Sequence, residues 1–194
     1  MNGFEKQELE TQGMMSRLFG SKPGHNALVE INNFLAESTA ATELTEEIVS
    51  NFIKNWGAKF DSSNIEYRSS MYRKVADHVY ISAVSKDDPV FEETKHLAQV
   101  LELPEKLQRL ADNGAKKVAY FSRCRKIISG EEPLTISEIN NVFGYDYEDG
   151  YDIRVQVFHD YLNKKFDEIA EQQRFSPDEE TALREICTKL DIPY

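Results

Sequence analysis

Cysteine is scarce in this sequence: of 194 residues only two, Cys124 and Cys187, carry a thiol. Two are too few for a disulfide framework, and they lack the paired spacing of a zinc site. A reducing cytoplasm fits that usage. No apolar run approaches the ~18–20 residues that span a bilayer, and the amino terminus has no hydrophobic signal-peptide core. The expectation is a soluble, unprocessed cytoplasmic protein without a transmembrane segment. Also missing are a P-loop, a Rossmann glycine pattern, a nucleophile elbow and a zinc motif. Basic residues are in the minority, 23 against 34 acidic, for a net charge of −11. Phosphate backbones and anionic lipid would be repelled by most faces, which argues against nucleic acid as a partner. Enough is present for a core: 40% of residues are hydrophobic and 11% aromatic, the range of globular chains.

The apolar residues are periodic, and the period recurs. Tyr72, Val75, Ala76, Val79, Tyr80, Ala83 and Val84 step by threes and ones, as one face of an α-helix does. Phe158, Tyr161, Leu162, Lys165, Phe166, Ile169 and Ala170 repeat that spacing at a constant shift, with Lys165 as the polar intruder whose stem can cover apolar surface. Leu97, Ala98, Leu101, Leu103 and Pro104 match Ile186, Cys187, Leu190, Ile192 and Pro193 in the same way. A third pairing sets "LTEEIVSNFIKNWG" from Leu44 beside "LTISEINNVFG" from Leu134. Two further helices are expected ahead of these, over Ala27–Glu37 and Lys116–Ile128.

The spacing therefore predicts an all-α protein, a duplicated helical bundle with about four helices in each half. Residues 27–104 form the first repeat and 105–193 the second, together one compact domain, behind a leader over 1–26. Within that leader Phe4–Phe19 is expected to be an amphipathic helix. Its mixed charge favours docking on the core over anchoring to a partner or a membrane surface, which would want a Lys/Arg-rich polar face.

Acidic residues gather where helices should start. Ser176, Pro177 and Glu179 spell a capping box with proline at the first helical position. Asp178, Glu179 and Glu180 face the positive end of the helix dipole, so a cap accounts for them without an ion. Thr135 and Glu138 form a second box. Asp88 before Pro89 is expected to cap the earlier copy, with Glu92 and Glu93 in its first turns.

"SKDDPVFEETKHLAQVLEL" and "RFSPDEETALREICTKLDI" resemble the helix–acidic turn–helix element of TerB-like (tellurite-resistance-type) domains, in which a phrase similar to A-D-G-x-[VIL]-S-x-x-E precedes an L-x-x-[IL]-A-x-x-L-x-[IVL] helix. The leader "MSRLFGSK" is also similar to the short one such proteins carry. The resemblance covers two helical pairs, under half the chain. It implies a compact duplicated helical domain associated with stress responses, serving as an interaction or sensing module, with metal ions sometimes held by acidic turns. The turn positions fall on Asp87 and Asp88 in the first copy. In the second they fall on Gln172 and Gln173, which supply no carboxylate, and neither copy has the glycine, so the hard-cation site is incomplete.

Other residues carry chemistry of their own. The loop "GYDYEDGYD" clusters Tyr145, Asp146, Tyr147, Glu148, Asp149 and Tyr151, yet an EF-hand register from Asp146 puts Gly150 at position 5 and Val157 at position 12, where oxygen ligands are required. A solvated loop or a tyrosine-rich partner contact is the better reading. Glu93 and His96 make an E-x-x-H pair of the kind that ligates metal on one helix face, but the matching position in the second copy holds Ala182 and Glu185. Cys124 lies beside Arg123, Arg125 and Lys126. These cations would favour a thiolate, but no activating histidine or nucleophile motif accompanies it. The same island, with Lys116 and Lys117, could dock an acidic partner. Trp56 is assigned to the core with Ile48, Val49, Phe52 and Ile53.

Three functions follow in order of preference. The first is a non-enzymatic interaction or regulatory module of TerB-like type with a protein partner and no cofactor, contacting it through Tyr145–Asp149 and Tyr151 or through Arg123, Arg125 and Lys126. The second binds a divalent cation through Asp87, Asp88, Glu92, Glu93 and His96. The third is an acidic mimic of nucleic acid, against which the 23 basic residues argue.

Overall fold

The computed structural model describes residues 3–11, 23–172 and 176–194, with residues 168, 169, 171 and 172 described by backbone alone. The chain is all-α: among the described residues there are eight α-helices and no strand. They are α1 (His25–Glu37), α2 (Glu46–Trp56), α3 (Ile65–Ser82), α4 (Phe91–Val100), α5 (Glu105–Ser129), α6 (Ile136–Phe143), α7 (Tyr151–Gln172) and α8 (Pro177–Lys189). A short 3-10 turn covers Ala41–Glu43. Among the described residues no helix is long and apolar enough to cross a membrane.

The helices begin and end where local chemistry directs. The Thr45 hydroxyl accepts the Ile48 N–H at the start of α2, and Gly57, in the left-handed region at φ 62°, closes its far end. At α6 Thr135 and Glu138 form the expected capping box, and Gly144 at φ 65° ends the helix. Glycine suits both ends because a Cβ is strained in that conformation. At α8 the Ser176 hydroxyl accepts the Glu179 N–H at 3.3 Å while the Glu179 carboxylate accepts the Ser176 N–H at 2.6 Å. Glu180 pairs with Arg184 at 2.8 Å. Two of the three carboxylates that follow Pro177 are thus held by protein groups, and the capping box among them is the expected one.

After α4 and α8 the chain turns in matching fashion. Glu102 and Asp191 are the described non-glycine residues with positive φ, at 47° and 53°. The Leu103 N–H reaches the Ala98 carbonyl at 2.9 Å, and the Ile192 N–H reaches that of Cys187 at 3.0 Å. Such crossing bonds satisfy last-turn carbonyls and offset a left-handed cost of about 1–2 kcal/mol.

By contact the chain divides into two units, one of residues 1–79 and 89–115, the other of 80–88 and 116–194. The first has a core built on Leu28, Ile31, Leu35, Leu44, Met71, Val75 and Leu97, with Phe4 inserted into it. Burying each such side chain contributes about 1.5–3 kcal/mol. In the second, Tyr120, Phe143, Ile139 and Leu190 are fully buried, and the Phe143 ring meets those of Tyr80 and Tyr120 at 5.9 and 5.8 Å.

Five expectations need correction. The first stripe is buried from Tyr72 to Ala83, but Val84 lies past the end of α3 and is 63% exposed. On α7 Phe158, Tyr161, Leu162 and Lys165 are half-buried and Phe166 is 50% exposed, while the Ile169 side chain lies outside the described residues; Arg154 and Val157 are the fully buried positions there. Periodicity identifies an apolar face but does not say what covers it. Residues 4–11 are not helical, and the rest of the expected leader helix, 12–19, lies outside the described residues. Asp88 does not cap α4, whose N-cap residue is Val90, because Pro89 sits in the turn ahead of that helix and the Asp88 carboxylate accepts the Val84 N–H instead. Trp56, the last residue of α2, is half-buried and sits outside the core.

Candidate functional site

The tyrosine-rich loop of the second unit is built around its own carboxylates. Asp146 Oδ1 accepts the N–H groups of Glu148 and Asp149, both at 2.9 Å, and Asp149 Oδ2 accepts the Asp146 N–H at 2.9 Å. Reciprocal bonds of this kind close a turn without help from an ion. Tyr145 is half-buried, packing on the rings of Tyr120 and Phe143 at 5.4 and 5.9 Å. Burial, and secondarily the Asp149 charge, pushes its phenol above the ordinary range. Tyr147 is 42% exposed, yet its hydroxyl donates to the Asp191 carbonyl at 3.2 Å.

Beneath the loop lies Arg154, fully buried. Its guanidinium stands 4.6 Å from the centroid of Tyr147 and 5.7 Å from that of Tyr151. One terminal nitrogen donates to the Tyr120 hydroxyl at 2.9 Å and the other to the Tyr147 carbonyl at 3.1 Å, while Nε has no partner. Burial opposes the charge, but the bonds to Tyr120 and Tyr147 outweigh it and hold the guanidinium above its ordinary pKa. The Tyr120 phenol, pushed up to about 12 by burial, donates to Asn140 Oδ1 at 2.7 Å. Residue 150 is glycine because a Cβ there would lie 2.9 Å from Tyr120 Cε1.

The first unit holds a counterpart in Arg68, also buried. Its Nε donates to Asn64 Oδ1 at 2.9 Å, one terminal nitrogen to the carbonyls of Leu101 and Glu102 at 2.7 and 3.1 Å, and the other to that of Asp61 at 2.9 Å. Sequence reasoning missed both arginines, although a signal existed. Carried back one turn, the stripe that begins at Tyr72 lands on Arg68, and the one that begins at Phe158 lands on Arg154.

The basic island is not one surface. Arg123 is buried, donating to the carbonyls of Ile81, at 2.8 Å, and Ala83, with Glu132 at 3.9 Å. Burial depresses its pKa. Lys116 donates to the Phe143 carbonyl at 2.8 Å, at the negative end of α6. Arg125 is exposed and Lys126 half-buried. Cys124 is fully buried, its thiol pushed up to about 12 by burial. Neighbours in sequence point to different sides of a helix, so flanking cations do not make this thiol reactive.

The candidate metal ligands fall in different units: Asp87 and Asp88 in the second, Glu92, Glu93 and His96 in the first. Asp88 accepts the Val84 N–H at 2.9 Å, Asp87 is exposed, and Glu92 pairs with Lys95 at 2.6 Å. Glu93 accepts the Ala41 N–H at 3.0 Å, and His96 Nε2 lies 2.8 Å from the Leu44 carbonyl, which makes that nitrogen the donor. Their i,i+3 spacing ties α4 to the turn Ala41–Leu44. Among the described residues no group of three or more His, Cys, Asp or Glu is placed to hold a metal ion.

Sequence reasoning also missed Asn26, Asn32 and Asn33 on α1, whose amides take backbone groups of Glu10, Glu5 and Gln7. Asn26 and Asn32 lie within the apolar period of that helix, a place where a buried amide needs a partner. Compared with known proteins, the chain matches no family model, no curated protein and no solved structure.

Proposed function

We propose that the chain is a non-enzymatic cytoplasmic interaction module of the TerB-like, stress-associated type, made of a duplicated helical half, and that residues 144–152 are its partner-binding face. The observation that carries this reading is the support of the loop. Arg154 sits under Tyr147 while the Asp146–Asp149 turn closes on itself, which leaves the Tyr147 ring partly exposed and Glu148, Asp149 and Asp152 exposed on a braced backbone. An ordered aromatic and acidic surface binds with less ordering cost than a floppy one, and its charge suits a basic partner. Duplication is supported by the paired helix ends at Gly57 and Gly144 and at Glu102 and Asp191, and by the paired arginines.

The test compares complexes recovered from native cells on the unaltered chain and on a Tyr147→Ala/Glu148→Lys/Asp152→Lys variant. A stable partner recovered by the first and lost by the second, with unchanged helicity, is the expected result. Equal recovery by both removes the loop from the reading.

A further inference from the structure

We infer that the asparagine face of α1 is a binding groove for an extended peptide of a partner protein, and that residues 4–10 occupy it in cis as a pseudo-ligand. The Asn33 side-chain amide accepts the Gln7 N–H and donates to the Gln7 carbonyl, both at 2.8 Å. Asn26 treats Glu10 the same way, at 2.8 and 3.0 Å. Asn32 donates to the Glu5 carbonyl at 2.8 Å. The N–H and C=O of one residue point to the same side in extended chain, so a primary amide that takes both imitates a neighbouring strand.

The spacing is commensurate. Seven residues separate Asn26 from Asn33, two turns of helix and a rise of about 10.5 Å. Three separate Gln7 from Glu10, about 10 Å of drawn-out chain running antiparallel to α1, and because successive residues of a flat strand face opposite ways, the chain twists between them to turn both toward the helix. Main-chain reading asks nothing of sequence, so selectivity rests on the few side chains that are gripped. Phe4 is buried in the core under Lys74, whose ammonium lies 5.0 Å from the ring, and the Gln7 side chain accepts from the Tyr67 hydroxyl at 2.6 Å. Lys6 pairs with Glu37, and both are exposed. Glu5, Glu8, Leu9 and Glu10 are exposed. The ligand class is therefore an extended segment with an aromatic anchor and a hydrogen-bond acceptor three residues later, free elsewhere.

The test uses the full chain and a fluorescein-labelled peptide of residues 4–11, Phe-Glu-Lys-Gln-Glu-Leu-Glu-Thr, followed by anisotropy. A tethered arm competes at millimolar effective concentration, so the unaltered chain should bind the peptide weakly, and loosening the arm should raise affinity about tenfold or more. Gln7→Pro loosens it at an exposed position by removing the N–H that Asn33 reads, and Phe4→Ala does so at the anchor, so failure of the second to fold leaves the first as the measurement. Asn33→Ala combined with Gln7→Pro should cost about tenfold, as should alanine for phenylalanine in the peptide. No saturable binding to a folded Gln7→Pro chain overturns the inference, as does binding indifferent to Asn33→Ala. A stable dimer of the unaltered chain that Gln7→Pro dissolves would make a second copy the occupant and overturn the partner assignment.

Discussion

Arg68 and Arg154 stand in the same relation to the rings beside them: each buried guanidinium lies 4.6 Å from the centroid of an aromatic ring in the preceding loop, Phe60 for Arg68 and Tyr147 for Arg154. They differ in what else they hold. Arg68 reaches the carbonyls after α4 itself, whereas in the second unit the Tyr147 hydroxyl takes the carbonyl of Asp191, and Arg154 turns to Tyr120. Asn64 accepts the Nε proton of Arg68. Arg154 has Gly150 one turn earlier, and its Nε is left unpartnered.

Arg68→Leu should destabilise the chain by about 3 kcal/mol or more, because it orphans the Leu101, Glu102 and Asp61 carbonyls at about 1–3 kcal/mol for each that stays buried. Denaturant unfolding measures it. A loss under 1 kcal/mol would show that water replaces the guanidinium.

Gly150→Ala should cost about 1–3 kcal/mol through overpacking against Tyr120. Paired with Tyr120→Leu, the same change should cost less than the sum of the two single variants, since the ring that collides with the new methyl is gone. Additivity in that double-mutant cycle would refute the clash.

Stability should fall on acidification. Glu138 is held below its ordinary 4.5 by the N–H and then the hydroxyl of Thr135, and Glu43 by the hydroxyl of Thr39 and then the N–H groups of Ala40 and Thr39. Asp61 is held below 3.8 by the hydroxyl and N–H of Ser63. In each case the folded chain binds the proton less tightly than the unfolded chain. The stabilisation is full above the unfolded values and disappears as pH falls through the lower folded ones. The Tm should decline from about pH 5 downward, and Glu138→Gln should flatten the slope.

Both thiols should be silent in the native protein. Cys124 and Cys187 are buried, and burial raises both pKa values, that of Cys124 to about 12. A thiol reagent at pH 8 should modify neither until denaturant is added, and then both. Rapid labelling of Cys124 in the native state would show that the flanking cations do activate this thiol.

Helix ends were legible because they depend on neighbours in sequence. A hydroxyl three residues before a glutamate, or a glycine after an apolar run, acts over one turn of chain. This is why Thr135 with Glu138 and Ser176 with Glu179 are found as expected. The leader misled for the same reason. Its apolar residues suit a helix, but Asn26, Asn32 and Asn33 offer residues 5–10 partners that a helix would have occupied internally. The island around Cys124 misled because successive residues on a helix are spread around its axis, and only packing shows that Arg123 and Cys124 are both covered while Arg125 is exposed.

From sequence alone came the all-α class, the capping boxes at Thr135 and Ser176 and the recurrence of the apolar stripes, all of which follow from interactions within a few residues. The tertiary structure decided which stripe is covered, that two arginines are buried among carbonyls and rings, and that residues 5–10 lie unwound along α1. Burial and hydrogen-bond partnership depend on residues distant along the chain, and the net worth of a polar group, unlike the period of an apolar one, is set by what it meets there.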